Sequence, residues 1–223
     1  MKELLGYQAK AAIAKAVNLF ISVINQAKIR TVNIAVHFKG QQPQVTWYTN
    51  ANGTIGGDLT VCEIADDAVL SKRFMDDIIA KTAHEILHPV LTLKKEWDDL
   101  CKRRPDLRGH VNGAEDCRIE WINKRDQLQA GAIVPLVNLI TQMIEDADAH
   151  GWDASNEDEV AWTIAALGRA RFTYNGLLSS PIIDKQEALL SSNVALAEKV
   201  DSYLTGVFAD ADNALNPIRI AEE

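Results

Sequence analysis

His84, Glu85 and His88 stand in an H-E-x-x-H pentapeptide, His84-Glu85-Ile86-Leu87-His88. On a helix, positions four apart share one face, about 6 Å apart along the axis. The two imidazoles can therefore point at one cation. Imidazole nitrogen suits Zn²⁺, which takes three protein ligands and keeps one open position when it does chemistry. Glu85 lies roughly 100° further round the helix. Its carboxylate would sit beside the metal, placed to take a proton from a bound water without being a ligand. Five histidines and thirteen glutamates in 223 residues produce this pentapeptide by chance in about one chain of this composition in 150. Its surroundings must decide how much weight it carries.

Those surroundings read as an amphipathic helix. Ser71 is placed to cap its start. Met75, Ile79, Thr82 and Ile86 then recur at helical spacing, with Phe74 and Ile78 beside them. The two histidines fall off that apolar stripe. Pro89 follows His88 at once, and its ring opposes helical geometry there. The helix is expected to kink or end just past the second histidine.

Two histidines do not complete a site. The route H-E-x-x-H-x-x-G-x-x-H is closed, because Leu91 and Lys94 occupy the Gly and His positions. A second helix, beginning near Val111, offers a third ligand. On it Asn112, Asp116, Glu120 and Asn123 form a polar stripe, with Val111, Ala114, Cys117 and Trp121 as its apolar neighbour. Asp116 is the favoured ligand. Glu120 and Glu115 are candidates for an outer-shell acceptor or an alternative ligand. His110, just before this helix, is a rival third ligand. Solvated surface charge is the plain alternative for Asp116 and Glu120. His37 and His150 have no ligand-like spacing.

Composition narrows the function. A net charge of −8 argues against a nucleic-acid partner. The basic run Lys94-Lys95, Lys102-Arg103-Arg104 and Arg108 is broken by Glu96, Asp98, Asp99 and Asp106, as on a solvated helix face. Cys62, Cys101 and Cys117 are scattered and odd in number, with neither disulfide nor C-x-x-C zinc spacing. A reducing, cytoplasmic compartment is the expectation. No signal peptide and no 18-residue apolar run is visible, so no membrane partner is expected.

The elements that must position these residues follow from the pattern. Residues 2–28 read as one Ala-rich helix with Leu4, Leu5, Ile13, Val17, Phe20, Ile21 and Ile24 inward. Thr31–Phe38, Gln44–Tyr48 and Leu59–Ile64 read as strands, separated by Asn50-Ala-Asn-Gly and Gly56-Gly57. Helices are then expected over the motif, about 91–103, from Val111, over Ile133–Ala149, from a cap at Ser155 to about Arg171, and across 182–209, with a loop from Gly176 to Pro181. Early strands followed by helices give an α+β class, a small sheet with a predominantly helical remainder. The expected division is a domain of 1–150 with a helical extension of 151–223 packed on it, or one domain of 1–223.

The helix Ala-His-Glu-Ile-Leu-His, with strand and turn before it and Asn-Gly-Ala-Glu-Asp-Cys-Arg-Ile-Glu after it, resembles a known family. This is the predicted metallopeptidase domain that often precedes a von Willebrand factor type A domain in bacterial and phage proteins. The region is also similar to that of the cobaltochelatase accessory subunits. The resemblance covers roughly residues 30–125 and implies a zincin-like fold. It places Asn112, Ala114 and Asp116 on an N-x-A-x-D motif and favours Asp116 as third ligand. Pro89 departs from the pattern, and residues 150–223 look helical rather than like a type A domain. The thermolysin-like N-E-x-x-x-D pattern is absent, since Gly113 stands at its Glu position.

The expected function is a zinc-dependent peptidase: His84, His88 and Asp116 hold Zn²⁺, and Glu85 is the general base. Tyr48, His110 or Arg118 could stabilise the oxyanion, and a strand edge within 44–64 could take an extended peptide or protein substrate. The alternative is a metal-stabilised interaction module that acts with a partner such as a ring-forming ATPase or a type A domain. A hydrolase of a non-peptide substrate would use the same site.

Overall fold

The computed structural model describes residues 3–28, 30–149, 157–174 and 180–222. The chain is α+β and divides into two compact units. One unit comprises Met1–Leu91 and Asp126–Leu139; the other comprises Thr92–Arg125 and Ile140–Glu223. Residues 92–125 and 140–149 therefore group with the C-terminal helices, where the sequence pattern drew one boundary at 150.

Among the described residues, the first unit holds all the strands. Leu4–Leu5 (β1) pairs antiparallel with Val69–Leu70 (β5). These leucines are thus in a strand, not in the first helix, which starts later, at Gly6–Gln26 (α1). The main sheet has the order β2-β4-β3. Val32–Gly40 (β2) runs parallel to Ile55–Cys62 (β4), and Gln44–Thr49 (β3) runs antiparallel to it. β4 begins four residues before the expected Leu59, because both Gly56 and Gly57 belong to the ladder rather than to a turn. At Gly57 a Cβ would stand 2.5 Å from the Thr46 carbonyl oxygen, so the close approach of β3 excludes a side chain there.

Ala9, Ile13, Val17, Phe20 and Ile24 recur every three or four residues and bury one side of α1. They join Val32, Ile34, Val45, Ile55, Leu59 and Val61 of the sheet in one core. The helix of Lys72–Leu91 (α2) closes that core with Met75, Ile78, Ala83 and Ile86. Ser71 caps it as expected: its Oγ accepts from the Phe74 N–H at 3.1 Å. Pro89 does not stop α2, which runs on to Leu91. The proline sits in the last turn, where few helical bonds remain to be lost, and its carbonyl accepts from Arg30 Nη1 at 3.4 Å.

The second unit is helical. Lys94–Arg103 (α3) and Arg108–Asp126 (α4) belong to it. Ile133–Ala149 (α5) matches its expected bounds, and Ile140 onward lies in this unit. Glu157–Gly168 (α6) passes directly into a π-helical turn, Arg169–Thr173. The expected cap at Ser155, His150 and the start of the loop at Gly176 fall outside the described residues. Ser180–Ser191 (α7), Val194–Ala209 (α8) and Asn216–Glu222 (α9) follow, dividing the expected 182–209 segment in two and adding a short last helix. Gly113 on α4 approaches α6 so closely that a Cβ would lie 2.7 Å from the Ala161 carbonyl oxygen. That contact is a packing reason for the glycine that displaces the Glu of the N-E-x-x-x-D pattern.

Cys62, Cys101 and Cys117 are all free thiols. Among the described residues no helix is long and apolar enough to cross a membrane.

Candidate metal centre

α2 presents its three chemical residues as the spacing requires. Ile86 and Leu87 go fully into the interior, while His84, Glu85 and His88 stay half-buried. The two imidazoles meet edge to face, with ring centroids 5.1 Å apart and planes at 85°. Trp47 of β3 stacks near His88, with centroids 6.3 Å apart and planes at 21°. An indole beside the ring restricts how His88 can turn.

Glu85 is also held from β3. Its Oε2 accepts from the Val45 N–H at 3.1 Å. β3 is an edge of the sheet, so one row of its amides faces away from β4 and needs acceptors. Taking one such amide fixes one carboxylate oxygen. Neither Trp47 nor the Val45 amide was singled out from the sequence. The period-two pattern of the strand was the available signal, since Val45 and Trp47 share a face.

α4 carries the other candidates, and it buries most of them. Asp116 is partly buried, its side chain 16 % exposed. Its Oδ2 accepts from Asn112 Nδ2 at 3.3 Å and lies 3.7 Å from Arg169 Nη2. Glu115 is buried and tied to its own helix: Arg118 Nε and Nη2 donate to it at 2.6 and 2.8 Å, and the Thr92 hydroxyl at 2.6 Å. Glu120 is buried and takes a two-pronged contact from Arg169, Nε at 3.0 Å and Nη2 at 2.7 Å. Glu120 is therefore not a solvated charge, and Glu115 and Glu120 each spend both oxygens on arginine. Of the oxyanion candidates, Arg118 gives its third nitrogen, Nη1, to the Ala211 carbonyl at 2.8 Å. Tyr48 is exposed and His110 is half-buried in the first turn of α4.

His84 and His88 on α2 and Asp116 on α4 are side chains of the kind that could hold a metal ion. Two imidazoles and a carboxylate are a donor set that zinc accepts with its fourth position open. Arg169 was missed in the sequence, because nothing in residues 157–174 ties a particular arginine to a helix some fifty positions earlier.

No family model, curated protein or solved structure matches this chain.

Proposed function

We propose that the protein is a zinc-dependent peptidase of zincin-like fold, with His84, His88 and Asp116 as ligands and Glu85 as general base. The observation that carries the reading lies on α2: the His84 and His88 rings have centroids 5.1 Å apart, and Glu85, the carboxylate next in sequence to His84, is held by the Val45 N–H. A structural clasp needs the ligands; it has no use for Glu85. When bound, zinc would lower the pKa of a coordinated water toward 7 and polarise a carbonyl oxygen.

The rest falls to the chain. The Val45 amide holds Glu85 through Oε2, and Oε1 takes the proton of the attacking water. Trp47 limits rotation of His88. Asn112 donates to Asp116 Oδ2. Peptide is the favoured substrate class because β3 is an edge strand of the sheet beside Glu85, and extended chains bind strand edges by main-chain hydrogen bonds.

The test joins elemental analysis to a peptide-library digest. The expected result is about one zinc per chain and cleavage that Glu85→Gln reduces by roughly 10²–10⁴-fold while zinc is retained. Glutamine fills the same space and cannot accept the proton. Absence of stoichiometric metal after reconstitution would sink the metal site altogether. Zinc bound, with Glu85→Gln indistinguishable from wild type and His84→Ala losing a partner protein, would establish the interaction module instead. Turnover of an ester or another amide, abolished by the same Glu85→Gln change, would move the substrate class.

A further inference from the structure

The main sheet of the first unit has two edge strands, and they are built differently. On β3 an amide that faces away from β4, the Val45 N–H, is taken by Glu85. On β2 the ladder itself shows which amides face outward. Alternate residues of a paired strand turn their N–H and C=O to the neighbour. The Ile55 N–H donates to the Thr31 carbonyl at 2.9 Å, so Thr31, Asn33, Ala35 and His37 turn toward β4. Val32, Ile34, Val36 and Phe38 turn away. Val32 shows the same phase independently: its N–H donates to Asn25 Oδ1 at 2.8 Å, and its carbonyl accepts from Asn25 Nδ2 at 3.1 Å.

Asn25 therefore closes one end of this edge, and the register shift between Phe38 and Gly40 closes the other. Between them lie the outward main-chain groups of Ile34, Val36 and Phe38. Among the described residues no strand pairs with β2 on that side. Proteins guard such edges with proline, inward-pointing charge or a very short strand. β2 has nine residues, and Ile34–Phe38 contains neither proline nor an inward charge. The inward side chains of Val36 and Phe38 pack on the core yet stay only half-buried.

We propose that this edge joins a second copy of the chain, β2 to β2 antiparallel, about a two-fold axis at Val36. The framed stretch sets the register. Centring on Val36 pairs Ile34 of each copy with Phe38 of the other, so all three outward residues exchange N–H and C=O across the axis. Centring on Ala35 would need Val32, which Asn25 holds; centring on His37 would need Gly40, whose carbonyl accepts from the Glu63 N–H. The side chains agree with the Val36 register. On the inner face Val36 meets its own copy and Ile34 meets Phe38, which covers the half-buried apolar atoms. On the outer face Ala35 meets His37, small opposite large, and within Ile34–Phe38 no like charges stand opposite each other. A two-fold contact must be self-complementary, and that property selects a second copy over another extended chain. The proposal does not depend on the metal reading.

One strand edge is a contact of the weak class, so the full chain is followed by analytical ultracentrifugation from about 10 µM to about 1 mM. Amide hydrogen exchange is read at both ends of that range. The expected result is a monomer–dimer equilibrium in which the Ile34, Val36 and Phe38 amides gain protection with concentration. The Asn33, Ala35 and His37 amides, which face β4, should be protected throughout. Val36→Lys and Val36→Glu each set like charges opposite across the axis, and each should weaken the dimer roughly tenfold or more. Mixing the two variants should restore association as a heterodimer. Circular dichroism checks that both are folded, and the exchange pattern of the wild type decides the matter without any variant. A wild type that stays monomeric at about 1 mM overturns the proposal. So does a dimer whose Ile34, Val36 and Phe38 amides exchange alike at both concentrations, and so do folded Val36 variants that associate as the wild type does.

Discussion

α2 and α4 have nearly the same length, 20 and 19 residues, and carry all the candidate ligands between them. They are built on opposite rules. α2 is amphipathic in the ordinary sense: its apolar residues go inward, and His84, Glu85 and His88 stay half-buried, held by ring contacts and one amide. α4 is buried over most of its circumference, and Glu115, Arg118 and Glu120 are inside with Val111, Ala114 and Ile119. A charged side chain enters the interior of α4 because a counter-charge meets it there. The lesson is that the polar residues of α2 stay half-buried at its surface, whereas those of α4 mostly hold the fold.

The sharpest way to break this contrast is to remove one charge from α4. Arg118→Met would leave the Glu115 carboxylate buried against the Thr92 hydroxyl. Unpairing a buried ion pair costs about 3–5 kcal/mol, whereas replacing both members by apolar residues is often near neutral. Guanidinium denaturation should therefore show a large loss for Arg118→Met and a much smaller one for Glu115→Leu combined with Arg118→Met. On α2 the exposed Lys72–Asp76 pair should give less than about 1 kcal/mol when Lys72 is changed to Ala. Similar losses for Arg118→Met and Lys72→Ala would end the contrast.

Alkaline titration is the next largest test. Burial pushes the Cys117 thiol and the Tyr174 and Tyr203 phenols well up, because the charged form is excluded from the interior. All three lie in the second unit. Their contribution is intact below the unfolded values, about 8.5 for a thiol and 10 for a phenol. Above those values the unfolded chain releases protons that the folded chain keeps, so stability falls as pH rises. For Cys117 the loss at pH 10 is on the order of 2 kcal/mol, with the phenols adding to it above that pH. Hydrogen exchange should show α4 and α8 opening before α1 as the pH is raised from 8 to 10.5. Cys117→Ser should remove much of the slope, since a hydroxyl can still donate to the Gly113 carbonyl that the thiol now contacts at 3.0 Å. Earlier opening of α1 would place the pH-sensitive part in the wrong unit.

How much of this was legible in the sequence follows from the same contrast. α2 could be read because its period separates core from chemistry; its start at Ser71, its apolar side and its half-buried histidines are local properties. The three main strands were legible for the same reason, though the start of β4 was obscured by two glycines that look like a turn and are in the ladder. α4 could be read only in part. Its stripe of Asn112, Asp116 and Glu120 was visible, but not that Glu120 meets Arg169, forty-nine positions away. Pairings of that range leave no local periodicity, and π-helical turns have no simple sequence signature. The mixed strand order β2-β4-β3 was likewise beyond local reading, because adjacency in a sheet is decided by tertiary packing.

The smallest effect belongs to the first turn of α2. Ser71 is exposed and its Oγ accepts from the Phe74 N–H. Without that acceptor, one of the four unpaired amides at the helix start returns to water. Ser71→Ala should cost about 1 kcal/mol, within a range of 0.5–2. Ser71→Asp should hold wild-type stability, because a carboxylate caps as well and meets the positive end of the helix dipole favourably. Neither change touches His84 or Glu85, which lie more than three turns along the helix. Zinc affinity and turnover should therefore stay at the wild-type level while the denaturation midpoint moves. If Ser71→Ala weakens zinc binding as well, the end of α2 is not independent of its beginning, and the helix is less rigid than its buried side implies.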